Sequence, residues 1–226
     1  ALYFLCDVGT FDIRALPDAA QGIASTTQLW IFGGMFLGFG IKVPMFPFHT
    51  WLPDAHTEAP TVGSVILAAV LLKLGTYGFI RIAIPILPEA AKDWAPYIGL
   101  LAVIGIIYGA LGCLAQTDMK RLIAFSSVAH MGFVMLGIAT LTDFGLNAAV
   151  FGMVAHGLIT GMLFFCAGSV KDRYHTLELK RLGGLLTQVP HLGWILGFAS
   201  MASLGWSGAN SSTKRLRSRS ATLRRS

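Results

Sequence analysis

Two lysines, Lys42 and Lys73, and two histidines, His130 and His156, stand in stretches otherwise apolar enough to lie in a bilayer. An ionisable side chain at membrane depth is expensive, by roughly 2.5 kcal/mol or more for lysine on insertion scales, so it marks an ion or proton pathway by default. All four groups exchange protons, and waters can link one to the next. The chemistry they offer is therefore proton relay. Each alone has a plainer use: a histidine in a helix core is often a packing residue, and a lysine near a helix end can reach the interface with its head group. Lys73 falls close to mid-span, where that climb is long, and four such groups at similar depth on four helices favour the relay.

The rest of the chain supports a membrane setting. Its 226 residues are 54% hydrophobic and 12% charged with a mean hydropathy of +0.67, against roughly 25% charged in a soluble domain. The net charge of +6 hints at nucleic acid until it is located. Residues 207–226 hold six Lys/Arg and no acid, whereas residues 1–206 hold eleven charges of each sign, so the excess belongs to the tail and no nucleic-acid partner is expected. Cys6, Cys113 and Cys166 are far apart and without CxxC spacing, which fits small core residues rather than ligands or disulfides. The N-terminus lacks a signal-peptide pattern, and the chain opens in mid-segment, as a fragment would.

Apolar runs at 28–48, 60–87, 94–115, 121–141, 145–170 and 189–206 each approach the ~20 residues that a bilayer-crossing helix needs. With no strand alternation competing, the expected fold class is all-α, a polytopic transmembrane helix bundle of about six spans. Residues 7–27 read as a polar connector. Lys120 and Arg121 in one connection, and Lys171, Arg173, Lys180 and Arg181 in another, put the loops 49–59, 117–121 and 171–188 on the cytoplasmic side by the positive-inside rule. The opposite side carries chiefly Lys92, beside Glu89 and Asp93. Lys42 then sits roughly 6 Å from the centre of its span, at about 1.5 Å per residue.

The helix of Lys42 is expected to break just beyond it. Pro44 and Pro47 each remove a backbone donor, which should free carbonyls near Gly40 and Val43, and broken helices at depth are tolerated where they line a cavity. Gly33, Gly34, Gly38 and Gly40 make one side of the same helix small, for close contact or for water. The loop beyond holds His49, Asp54, His56 and Glu58, but this spacing matches no usual zinc pattern, so a structured mouth is expected rather than a metal site. Ser126, Ser127 and Thr160 can either carry hydrogen bonds between waters or bond to their own helix backbone. No phosphate loop, haem motif or cysteine cluster appears, so no redox centre is expected in this chain.

The stretches GIKVPMFPFHTWLPDAHTEAPT, VILAAVLLKLGTYGFIR, QTDMKRLIAFSSVAHMGFV and AHGLITGMLFF resemble, in order, the antiporter-like proton-translocating subunits of respiratory NADH:quinone oxidoreductase, complex I, of the kind called subunit M or chain 4. The wider family includes subunits L and N, membrane subunits of energy-converting hydrogenases, and Mrp-type cation/proton antiporters. The resemblance covers residues 1–206. It implies that Lys42 is the lysine of the broken helix that gains and loses the proton, that Lys73 is the bridging lysine, and that His130 and His156 carry the polar axis onward. It further implies that NADH, FMN, Fe–S clusters and quinone belong to other parts of the complex. The expected partners are neighbouring antiporter-like membrane subunits and the lipid bilayer, in a bacterial plasma membrane rather than an organellar inner membrane. The remaining alternatives are an Mrp-type antiporter, a hydrogenase membrane subunit, and a non-transporting scaffold or defective fragment.

Two parts of the family pattern are absent. The glutamate partner of Lys42 would precede Ala1, and the exit-side acid would follow Gly205, where the chain instead reads WSGANSSTKRLRSRSATLRRS. Residues 1–206 are thus expected to be a partial antiporter-like core. Residues 207–226 are expected to be a basic, disordered segment of frameshifted character, and the polypeptide by itself is not expected to pump.

Overall fold

The computed structural model describes residues 12–204, which form a bundle of α-helices; no strand occurs among them beyond an isolated bridge between Asp118 and Glu178. The expectations for Cys6, for a span ending near residue 6 and for the tail at 207–226 lie outside the described residues. Helix α1 is Ser25–Lys42, α2 Trp51–Glu58, α3 Thr61–Ile86, α4 Pro88–Leu114, α5 Met119–Ala139 and α6 Asp143–Tyr174. A last helix, α7, occupies 190–204 within the described residues. Helices α3 to α6 are each long and apolar enough to cross a membrane, and the fold is a transmembrane helix bundle. Large apolar side chains face outward, among them Leu114, Leu158 and Phe198, as lipid or a neighbouring subunit requires and water does not.

The element ends have local causes. Helix α1 stops at Lys42, the break expected from the prolines beyond it, because Pro44 has no N–H to continue the ladder. The Gly40 carbonyl, expected to be free, instead accepts from the Met45 amide at 3.0 Å, and the Ile41 carbonyl accepts from the Trp51 indole at 3.0 Å. The segment expected as a loop at 49–59 is largely the short helix α2. Helix α4 begins at Pro88 rather than near 94, since proline is at no disadvantage in a first turn whose N–H groups are unpaired anyway. Asp118 caps α5 by accepting from the Arg121 amide at 3.0 Å, and Thr142 caps α6 by accepting from the Gly145 amide at 3.1 Å. Helix α6 outlasts its apolar run, through Lys171 and Arg173, and ends where His175 turns left-handed at φ 53°.

The antiparallel course of α3 to α6 brings α2, the α5 start and the segment after α6 to one end. Arg121 pairs with Asp54 at 2.8 Å, the buried Lys120 donates to the Ala59 carbonyl at 2.8 Å, and the Met119 amide donates to the Leu177 carbonyl at 3.0 Å. The three loops grouped by charge in the sequence thus share one end, while Lys92 and Glu89, 2.8 Å apart, mark the other.

The main core lies between α1, the second half of α3, α4 and α5, with Phe32, Phe36, Phe79 and Trp94 at its centre; the Phe36 and Trp94 ring centroids are 5.3 Å apart. Close approach is set by glycine, though mostly not those of α1: a Cβ at Gly38 would meet nothing within 4 Å. A Cβ at Gly75 of α3 would lie 2.6 Å from Val43 Cγ2 and 2.9 Å from the Phe39 carbonyl oxygen, so α3 can seat against the broken end of α1 only without a side chain there. Gly75→Ala is therefore expected to destabilise the bundle by about 2 kcal/mol, in the usual range for overpacking. Thermal unfolding in detergent should show a lowered midpoint, and an unchanged midpoint would remove this contact from the account of the fold.

Candidate functional site

Helix α3 is interrupted on both sides of Lys73 by single π-helical turns, Leu67–Leu71 and Phe79–Ala83. Such turns break the regular ladder and are frequent at functional sites. The Leu72 amide reaches back five residues to the Leu67 carbonyl, and the Ala68 carbonyl accepts a hydrogen bond from the Lys73 ammonium. The same ammonium lies 2.7 Å from His156 Nδ1 on α6. Gly157 permits this approach: a Cβ there would stand 3.0 Å from the Ala69 carbonyl oxygen and 3.7 Å from Lys73 Cε. When Lys73 is charged its ammonium only donates, and His156 Nδ1 then accepts with the imidazole proton on Nε2.

The His156 ring is 3% exposed, and its centroid lies 5.7 Å from that of His130 on α5. His130 Nε2 is 2.9 Å from Ser203 Oγ on α7. Both rings line a half-open pocket of about 10 Å³, together with Ile159, Thr160 and Ser203. Lys73, His156 and His130 are thus brought into one cluster across three helices. Lys42 is not part of it. It is half-buried in the last turn of α1, without a hydrogen bond or ion pair among the described residues, and its neighbour Val43 packs on Gly75, two positions past Lys73. Ser126 and Ser127 donate to the Ile123 carbonyl at 2.9 and 3.1 Å, so they bond to their own helix; Thr160 instead lines the cavity.

The family described as "NADH:quinone oxidoreductase/Mrp antiporter, TM" matches residues 1–208. The chain belongs to that family. It is 44% identical over 209 residues to NADH-quinone oxidoreductase subunit M of Rickettsia bellii, covering 92% of this chain and 42% of the relative. It is 52% identical over 183 residues to NADH-ubiquinone oxidoreductase chain 4 of Metridium senile, covering 81% of this chain and 37% of the relative. Among solved structures, respiratory complex I from Thermus thermophilus aligns with a TM-score of 0.78 at 34% identity, over 84% of this chain and 41% of that one. The Mrp complex from a Dietzia species aligns at 0.81 with 22% identity, over 89% and 38%, a likeness of fold alone. The chain spans less than half the length of these relatives.

In this member of the antiporter family the mouth of the bundle holds groups the apolar pattern does not reveal. His56 on α2 is fully buried, stacked on Phe164 of α6 at 4.4 Å, and neither ring nitrogen has a partner. Its pKa is pushed down from 6.5 to about 4, by burial first and then by the positive charges of Lys120 and Lys73. His49 lies apart from it, 4.6 Å from the Tyr108 ring, and is lowered by burial. The two histidines do not converge, and among the described residues no three His, Cys, Asp or Glu side chains gather to hold a metal. Other site members missed by sequence reasoning are the Ala68 carbonyl, Thr76, whose hydroxyl donates to the Lys73 carbonyl at 3.0 Å, and Ser203. None of these carries a charge that would set it apart, although Ala68 and Thr76 lie in the same stretch as Lys73.

His56 generates a pH prediction. Its folded pKa is below its unfolded one, so the unfolded chain takes up a proton first and stability falls as pH drops from 6.5 to about 4. The loss is of order 3 kcal/mol when complete. Denaturation of the detergent-solubilised chain at pH 7 and pH 4 should show a smaller drop for His56→Phe than for the parent. Equal drops would assign the acid sensitivity elsewhere.

Proposed function

We propose that this chain is the central part of a proton-translocating membrane subunit of NADH:quinone oxidoreductase, with Lys42, Lys73, His130 and His156 as relay groups. The observation that carries the reading is the 2.7 Å contact between Lys73 and His156 inside the bundle, with no carboxylate among the described residues paired to either. An ammonium held by a carbonyl and an imidazole is aimed at a proton acceptor rather than locked to a counter-ion. The proton on Lys73 Nζ faces His156 Nδ1 directly, and His130 continues the line to α7. Lys42, at the broken end of α1, is the group through which a change of charge in a neighbouring subunit is felt.

The relatives at 42–52% identity are named as subunits of NADH-quinone or NADH-ubiquinone oxidoreductase, which favours that complex over an Mrp antiporter, a hydrogenase membrane subunit or an inert scaffold. In this reading residues 1–206 are the antiporter-like core and 207–226 an appended basic segment. NADH oxidation and quinone reduction, with FMN and Fe–S clusters, take place in other subunits. The partners are adjacent antiporter-like membrane subunits and lipid, and the setting is a bacterial plasma membrane, a reading supported by the relatives from the bacteria Rickettsia and Rhodobacter.

In the assembled complex, Lys73→Ala should abolish most proton pumping and the electron transfer coupled to it while the subunit still assembles. Lys73→Arg should not restore it, because a guanidinium does not release its proton. Pumping at the parental rate in the Ala variant, measured with a pH-sensitive dye in membrane vesicles, would end the relay reading.

A further inference from the structure

A groove of about 500 Å³ lies on the outside of the bundle between α3, α6 and α7. Its depth comes from small residues: Ala69, Gly157 and Gly161 are its floor, and a Cβ at Gly161 would make only ordinary contact with Ala69 and Val65, at 3.7 and 3.9 Å. Along α6 it extends from Gly157 to Ser169, about 18 Å at ~1.5 Å per residue. One leaflet of a bilayer contributes about 15 Å of hydrocarbon, so the groove spans one leaflet. Its mean cross-section of roughly 28 Å² is too narrow for a helix, which is about 10 Å across, and takes a single acyl chain.

The polar end of the groove carries charges that suit a headgroup. Beyond Ser169, Asp172 and Arg173 follow at three and four residues, which puts them on the same side of α6 one turn later. Both are exposed, and neither forms an ion pair among the described residues. Lys171 stands on the other side of the helix, near Lys120. A cation beside an anion complements a head that bears both a phosphate and an ammonium. We infer that the groove binds one phosphatidylethanolamine, with an acyl chain on the glycine floor, the phosphate accepting from the Arg173 guanidinium and the ammonium donating to the Asp172 carboxylate. A head with a phosphate and no cation leaves Asp172 beside a like charge, which selects against it. The chain lies against Gly157, where α6 seats on α3 and a Cβ would stand 3.7 Å from Lys73 Cε, so it closes the lipid side of the lysine–histidine contact against water.

This site does not depend on Lys73 carrying protons, and cross-linking tests it without measuring pumping. The full-length subunit in its complex is exchanged in detergent with phosphatidylethanolamine or phosphatidylglycerol bearing a diazirine on the acyl chain, irradiated, and mapped by peptide mass spectrometry. Adducts of phosphatidylethanolamine are expected on residues 157–169 and 192–195, about threefold or more above those of phosphatidylglycerol, while the exposed Leu114 of α4 takes both lipids alike. Gly161→Leu, whose side chain fills the floor, should remove the groove adducts. Arg173→Gln, at an exposed position, should lower them about threefold, the size of one exposed ion pair, and it carries the test should Gly161→Leu not assemble. Equal yields from the two lipids in the groove would mark ordinary solvating lipid and overturn the site, as would full labelling in both variants. No lipid adduct in the groove would mean that protein covers it, a later segment of the subunit or a neighbour, and overturns the site equally.

Discussion

The structure turns on burying an ammonium without a counter-charge among the described residues. An ion moved into a low-dielectric interior must recover its lost hydration through hydrogen bonds, and Lys73 has two for which the structure provides: the Ala68 carbonyl and His156 Nδ1. Neither is incidental. The first comes from a π turn that alters the backbone ladder of α3, the second from a glycine that lets α6 approach. A regular α3 or a side chain at 157 would leave the ammonium poorly solvated. The irregular helix and the close contact are the two conditions of having a lysine there at all.

That constraint propagates outward. Seating α6 on α3 at Gly157 fixes the level at which His156 enters the core, and α5, packed on both α4 and α6, brings His130 to the same level. On the far face of α3, Gly75 fits the broken end of α1, so the helix of Lys42 and the lysine cluster are mechanically linked through one glycine even though the two lysines do not touch. Charged and polar groups at the mouth, Lys120 on the Ala59 carbonyl and Arg121 on Asp54, tie α2 to α5. His56 beneath them stays uncharged near neutral pH because burial and two nearby cations oppose its protonation.

Much of this was legible in the sequence. A lysine or histidine in a long apolar run stands out because the solvent there is lipid, so Lys42, Lys73, His130 and His156 were identifiable without a structure, as were the helices and the loops that share an end. Apolar periodicity alone placed the boundaries less well. The apolar run at 28–48 outlasts its helix, and there Pro44 and Pro47, not hydropathy, mark the break: the backbone stops at Lys42 for want of an N–H. The 49–59 segment looked like a loop because its polar side chains dominate the average, yet it folds as a helix that buries Leu52, Pro53 and His56.

What the sequence by itself determined is therefore the membrane class, the helical content and the chemical types available for proton transfer, because each follows from local composition against the cost of polar groups in lipid. Which groups meet was decided only by tertiary structure. Lys73 and His156 are 83 positions apart, and His130 and Ser203 are 73 apart; no local pattern encodes a contact between separate helices. The π turns, the glycine contacts and the cavity beside His156 arise from how helices seat on one another. They turn four ionisable residues at similar depth into a cluster of three with a fourth standing beside it.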